Sequence, residues 1–352
     1  MVRAAAQFLL GILASLLVCE LLFRVLPVST STLTGYYIDP EILTYPPRHQ
    51  WQVATGWDLR NPRTLHSNNF GFVSAHDFVR DETAIALIGD SYVESSMLAA
   101  SDRPGAQLER ALGGSRPVYA MGNPGTALLD YAERIRFAHQ HFGTRDFVVF
   151  MERGDVRQSL CGSGNIDSPC LDAKTLAARN ERRPPASPVK RVLRNVALAQ
   201  YFSGQLKIEP GHLLRLLFQS SPAVAQSTTA AASGIGPAPT LDETTRRRVD
   251  AVTEAFFARA KTHVAGRLVI VVDCDRPGLQ AGRDIRDPAR ARFIQLARSA
   301  GAEVIDTEPL YRQHFETSNL SLDVSPHDGH LNPLGVALVA QAVASVLREP
   351  RR

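Results

Sequence analysis

Residues 83–96 read TAIALIGDSYVESS: an apolar run, then Gly89, Asp90 and Ser91, then small polar residues. A short continuous apolar run closed by a turn signal predicts a strand buried on both faces. The pattern recurs along the chain. PGAQLERALGG (104–114) predicts a helix ended by glycine, and PVYAMGNPG (117–125) a strand running into a Gly/Pro turn. TALLDYAERIRFAHQHF (126–142) predicts a helix, and DFVVFMERGD (146–155) a strand. After a break the alternation returns: a helix from Leu241 to His263, the strand RLVIVVDCD (267–275), the helix DPARARFIQLARSA (287–300), the strand AEVIDT (302–307) and a closing helix, PLGVALVAQAVASVLRE (333–349). Continuous apolar strands separated by amphipathic helices predict a parallel sheet covered on both faces, an α/β domain.

Composition agrees with a folded chain. Of 352 residues, 44% are hydrophobic and 21% charged, enough to bury a sizeable core and too apolar for a disordered protein. The formal net charge of +4 is mild for this length and gives no argument for a nucleic-acid partner.

The N-terminus points to a membrane. Residues 4–26, AAAQFLLGILASLLVCELLFRVL, are long enough to cross a bilayer, with only Gln7, Glu20 and Arg24 interrupting. Glu20 and Arg24 lie four apart, where they can pair. Arg3 precedes the run, so the positive-inside rule leaves the bulk of the chain outside the cytoplasm. That is the expectation for a single-pass protein of a bacterial inner membrane, facing the periplasm or the exterior. A cleaved signal peptide is the rival reading, although no clear small-x-small site follows the apolar run.

Three segments stand outside the alternation. Residues 28–82, rich in Pro, Thr, Asn and aromatic side chains, read as an irregular lead-in packing on the domain, with HSNNFGF (66–72) as the turn that enters it. Residues 156–240 read as an insertion into the domain 83–352. It holds a basic stretch, NERRPPASPVKRVLRN (180–195), a short amphipathic helix around GHLLRLLFQ (211–219) and a low-complexity linker, SSPAVAQSTTAAASGIGPAP (220–239). The basic stretch reads as a solvated face. Inside the insertion Cys161 and Cys170 bracket a polar loop that an oxidising compartment can close as a disulfide. No Cys/His spacing resembles a zinc site.

Ligands of open parallel sheets bind at the carboxyl edge of the strands. Three such ends carry suggestive residues: Gly89-Asp90-Ser91, Gly122-Asn123-Pro124-Gly125 and Glu152-Arg153-Gly154-Asp155. The last loop, PHDGHLNPLG (326–335), adds His327, Asp328 and His330. Acyl transfer needs an exposed hydroxyl, a base within hydrogen-bond reach and amides aimed at the developing oxyanion. Ser91 supplies the hydroxyl and its own amide at a helix start, Gly122 a second amide, His330 the base and Asp328 the carboxylate that orients it. Taken singly, Gly-Asp-Ser is equally a turn or a helix cap, and the histidines equally loop residues.

The order of these blocks, IALIGDSYVE, GNPG and HLNPLG, resembles the SGNH, or GDSL, hydrolases from about residue 66 to the end. The resemblance implies a flavodoxin-like three-layer α/β/α sandwich, Ser91 as nucleophile, Gly122 as oxyanion donor and His330 as base. It also implies an ester substrate and no metal or organic cofactor. Two positions depart from the family pattern. The side-chain donor usually found before the aspartate of the third block is replaced by Gly154, so Arg153, the Gly154 amide or Asn123 would have to substitute. The acid is one residue closer to the histidine than usual, D-x-H instead of D-x-x-H, with His327 at the usual acid position and Asp323 as a fallback partner. A D-x-H pair with a serine also occurs in the related acetyltransferases of bacterial exopolysaccharide assembly. The expected function is therefore removal of acyl groups, foremost O-acetyl, from a cell-envelope or exported polysaccharide. The alternatives are O-acetyl transfer to such a polysaccharide with the same residues, or a non-catalytic glycan-binding or assembly scaffold. Arg153, Asp155 and His327 are the expected substrate contacts, and envelope polysaccharide assembly proteins the expected partners.

Overall fold

The computed structural model describes residues 2–30, 33–163, 169–182, 187–206, 240–326 and 328–350. The helix expected around 211–219, the linker 220–239 and His327 lie outside the described residues. The chain divides into two compact units: Met1–Thr32, Gln50–Leu65 and Pro184–Ala238 form the smaller, and Leu33–His49, His66–Arg183 and Pro239–Arg352 the larger.

In the smaller unit, helix α1 (Val2–Val25) is followed along the chain by strands of the larger one, β1 (Gly35–Asp39) and β2 (Ile42–Thr44), which pair antiparallel. The smaller unit resumes with β3 (Gln50–Thr55) and β4 (Arg60–His66), a second two-stranded ladder. Residues 28–82 are therefore less irregular than their composition suggests; the strands are short and their burial does not alternate, which removes the period-2 signal.

The larger unit is built on β5 (Ile85–Gly89), α2 (Ser91–Glu94), α3 (Pro104–Ala111), β6 (Val118–Gly122), α4 (Leu128–Phe142), β7 (Asp146–Met151) and α5 (Asp155–Gln158). The insertion adds the pair β8 (Pro169–Leu171) and β9 (Ala178–Asn180), whose Cys170 is disulfide-bonded to Cys161, and returns to the smaller unit for α6 (Pro188–Leu193) and α7 (Ala197–Gln200). The larger unit closes with α8 (Glu243–Ala260), β10 (Leu268–Val272), α9 (Arg276–Gln280), α10 (Pro288–Ser299), β11 (Glu303–Asp306), α11 (Thr307–Thr317), β12 (Asp323–Ser325), β13 (Asp328–Leu331) and α12 (Pro333–Arg348). The sequence pattern misses α11 because no turn separates it from β11: Asp306 ends the strand and caps the helix, accepting from the Glu308 amide at 2.9 Å.

The five main strands pair in parallel in the order β11-β10-β7-β5-β6. Numbered by their succession and read from the β6 edge, that is 2-1-3-4-5, the doubly wound order of the flavodoxin-like domain that the resemblance implies. Alternate strand residues feed two cores. Ala86, Ile88, Val149 and Ile270 pack with α4, α8 and α10, while Ile85, Leu87, Val148 and Val271 pack with α3, α11 and α12. Burial on both faces is why these strands are apolar without interruption. Strand order reverses between β5 and β7, and a crevice at their carboxyl ends is where such sheets bind ligands.

Candidate active site

Gly-Asp-Ser ends β5 for reasons the packing supplies. Asp90 caps α2, its Oδ1 accepting from the Tyr92 amide at 2.8 Å, and its carbonyl accepts from the Val93 and Glu94 amides. That leaves the Ser91 N–H without a protein acceptor among the described residues. The turn is tight against β6: a Cβ on Gly122 would meet the Glu94 amide nitrogen, with Val93 C at 2.8 Å and Asp90 O at 2.9 Å. Gly122 is therefore required by the close approach of α2, independently of any amide it offers. Behind the turn, Arg134 of α4 is fully buried and donates Nη1 to the carbonyls of Gly89, at 2.6 Å, and Met121, at 2.9 Å, tying together the ends of the two strands.

The histidine arrives on a hairpin. β12 and β13 pair antiparallel, Asp323 opposite Leu331 and Ser325 opposite Asp328. His330 Nε2 lies 2.8 Å from Ser91 Oγ, and His330 Nδ1 lies 2.5 Å from Asp328 Oδ1. Asp328 Oδ1 also accepts from the His330 backbone amide at 3.1 Å. The D-x-H spacing follows from the strand: side chains two apart share a face, so Asp328 and His330 stand side by side. With Nδ1–H donated to the carboxylate, Nε2 faces the serine hydroxyl as an acceptor.

Gly329, between them, turns its carbonyl the other way, onto residues the sequence did not single out. Tyr92 OH donates to it at 2.8 Å, and Arg276 Nη2 donates to it as well. The Tyr92 ring packs on the His330 ring at 4.8 Å and stacks on Phe150 at 5.5 Å. Arg276, with its side chain only 4% exposed, also pairs with the buried Asp273 and, through Nε at 2.6 Å, with Asp323. Arg276 thus fastens the hairpin that carries His330 to the end of β10. In the sequence it stands in VDCDRPG, where nothing distinguishes it from a surface arginine.

Several expected roles are corrected. Asp323, the fallback partner of His330, is engaged by Arg276. The Gly154 amide, expected to face an oxyanion, is donated to the carboxylate of Glu152. Asn123 has no exposed surface, and its backbone N–H is directed to the Gly89 carbonyl at 3.3 Å, so neither end is on the rim. Asp155, expected to contact substrate, is fully buried; its Oδ2 accepts from Tyr131 OH at 3.1 Å and from the Glu152 amide at 2.9 Å. Arg153 is half exposed and pairs with Asp275 at 3.3 Å. Asp155 and the Gly154 amide face inward in the turn from β7 into α5, whereas Arg153 keeps an exposed side chain.

Acidic groups lie beneath the serine. Burial raises Asp90 to about 6, with Glu152 pushing it further up and His330 drawing it down. Burial also raises Asp155 well above the carboxylate range, with Asp90 and Glu152 adding to it. Glu94, at the far end of α2, is raised by burial to about 7 and accepts from Tyr45 OH at 3.0 Å. His330 and Asp328 themselves keep side-chain exposures of 26% and 35%, open to an incoming substrate.

No family model matches the sequence, and no curated protein does. Among solved structures the chain is similar to a putative arylesterase from Agrobacterium tumefaciens, at 17% identity and a TM-score of 0.34 over 76% of this chain and 98% of that one. It is also similar to a member of the lipolytic protein G-D-S-L family from Veillonella parvula, at 12% identity and 0.38 over 76% and 99%. A third is an acetyl xylan esterase, at 10% identity and 0.41 over 75% and 99%.

Proposed function

We propose that the protein is a serine esterase, held at a membrane by α1, that removes O-acyl groups from a cell-envelope or exported polysaccharide. The observation that carries this reading is the chain of hydrogen bonds from Ser91 Oγ through His330 to Asp328 at the carboxyl edge of the sheet. Ser91 Oγ attacks the acyl carbonyl while its proton passes to His330 Nε2; Asp328 holds the ring and stabilises the imidazolium. The Ser91 amide, at the start of α2, donates to the oxyanion. Collapse of the intermediate expels the sugar oxygen, which leaves as a hydroxyl by taking the proton from His330. Water then attacks the acyl-serine with His330 as base, releasing the carboxylic acid and restoring the serine.

The partial exposure of His330 and Asp328, 26% and 35%, supports a bulky acylated chain as substrate, because a fully enclosed pair would exclude it. α1 offers residues Arg3–Val25, 23 residues of mean hydropathy 2.2, long and apolar enough to cross a membrane or to serve as a signal sequence. With Gly154 in place of a side-chain oxyanion donor, turnover of simple esters is expected to be slow, since one such donor contributes about 100- to 1000-fold.

The test is release of nitrophenol from p-nitrophenyl acetate, and of acetate from O-acetylated polysaccharide, by the full chain in detergent with Ser91→Ala alongside. Activity that survives in Ser91→Ala, or none in the parent chain, overturns the reading. Acetylated oligosaccharide found by mass spectrometry, with little free acetate, would instead identify a transferase.

A further inference from the structure

The smaller unit carries an unusual contact between α1 and the insertion. Glu20 lies five residues before the end of α1, about 7.5 Å along the axis at 1.5 Å per residue. A carboxylate at that depth is costly unless its oxygens are satisfied. Its two oxygens accept from the Ala197 and Leu198 amides of α7, at 3.1 and 2.9 Å, and from Arg24 Nε at 2.8 Å. Arg24 also reaches the Asn195 carbonyl at 3.4 Å, and the Phe23 ring stacks on Tyr201 at 4.3 Å. From there the unit is tied to the β3–β4 hairpin: Tyr201 OH donates to the Trp57 carbonyl at 2.8 Å, and Gln205 Nε2 donates to the carbonyls of Ala54 and Gly56 at 3.0 and 2.6 Å.

The segment fixed to the end of α1 in this way is exposed and apolar. Val189, Val192 and Leu193, at i, i+3 and i+4 of α6, are 68%, 65% and 48% exposed, and Trp57 at the hairpin tip is 72% exposed. Single exposed apolar residues are ordinary on a surface. These four belong to one unit joined to a helix whose own apolar side chains are exposed, and the basic Lys190 and Arg191 interleave with them. Apolar and aromatic side chains beside lysine and arginine are the composition of elements that lie in a membrane interface.

We propose that α6, the turn into α7 and the tip of the β3–β4 hairpin form a collar lying in the headgroup layer of an anionic phospholipid bilayer, around the outer end of α1. The proposal rests on the reading of α1 as a membrane-spanning helix. Its occupant is lipid because the surface continues from that helix and because its cations match anionic headgroups. Residues 187–195 of the basic stretch, which the sequence presents as a solvated face, become part of the anchor.

The chain has two tryptophans, Trp57 and the buried Trp51, so their fluorescence tests the idea. The full chain is reconstituted into phosphatidylglycerol/phosphatidylcholine vesicles containing lipid brominated near the headgroup end of the acyl chain. Trp57 emission, isolated in Trp51→Phe, is expected to fall by about half or more, as for an interfacial aromatic, and Trp57→Phe to leave the remaining emission unchanged. If Trp51→Phe does not fold, the parent chain minus Trp57→Phe gives the same quantity. Lys190→Gln with Arg191→Gln should weaken the quenching. Protein that floats with the vesicles and resists alkaline extraction while Trp57 remains unquenched and open to aqueous iodide overturns the collar. Protein that is extracted by alkali overturns the membrane-span reading instead.

Discussion

Replacing Gly122 by alanine isolates the coupling between β6 and the nucleophile turn. The added methyl would lie 2.8 Å from Val93 C and 2.9 Å from Asp90 O, closer still to the Glu94 amide. Ordinary contact begins near 3.4 Å, so α2 must retreat by about 0.6 Å or more, and backbone on both sides leaves no flexible side chain to give way. Ser91 is the first residue of that helix, and its 2.8 Å bond to His330 lengthens with the shift. Misplacement on the scale of 1 Å costs about 100-fold in rate, so p-nitrophenyl acetate hydrolysis should fall about 10- to 100-fold. Overpacking of this kind costs about 1–3 kcal/mol, leaving a folded protein with a lowered melting temperature. The assay compares the Ser91-dependent rate and thermal unfolding of Gly122→Ala with the parent chain. Parent rate with parent stability would refute the claim that close packing of α2 positions Ser91.

Arg276→Met leaves the buried Asp273 and Asp323 without their cation, and removal of one partner from a buried pair costs about 3–5 kcal/mol, measurable as a loss of denaturation midpoint. Arg276→Lys keeps the charge but not the fork, so it should hold most of that stability while the Ser91-dependent rate drops; a full parent rate in the lysine variant would deny Arg276 a positioning role. Glu152→Ala frees the Gly154 amide, but the turn into α5 carries that amide inward, so ester hydrolysis is expected to stay near the parent rate; a gain of about tenfold, part of what one oxyanion donor contributes, would mean that this amide reaches the substrate. Glu94, raised by burial from 4.5 to about 7, contributes stability that is fully present below pH 4.5 and lost as pH rises through about 7. Glu94→Gln should therefore gain on the parent chain by about 3 kcal/mol in urea denaturation at pH 8 relative to pH 4, and equal pH dependence of the two proteins would contradict it.

The layer architecture was legible in the sequence because burial on both faces of a parallel sheet forces uninterrupted apolar strands. TAIALIGD, DFVVFM and RLVIVV could hardly be placed anywhere else. The juxtaposition of Ser91, His330 and Asp328 was legible for a related reason: all three stand at or beside the carboxyl edge that the strand order dictates. The closer spacing of acid and base was visible too, but its cause was not, since PHDGHLNPLG reads as a loop and the pairing that makes residues 328–331 a strand is with residues 323–325.

What the sequence left open concerns the direction in which polar side chains point. Arg276 and Arg134 look like ordinary charged residues, yet one holds the Gly329 carbonyl and the other the ends of two strands, because each fills a place where several backbone carbonyls converge. Asn123, Gly154 and Asp155 look like rim residues, yet tight turns carry them or their amides inward. The start of α7 gained its place beside Glu20 only through contacts made more than 170 residues apart. Local periodicity encodes which residues are buried; the partner of a buried or capping polar group is chosen by chain segments distant in sequence, and only the folded structure brings those together.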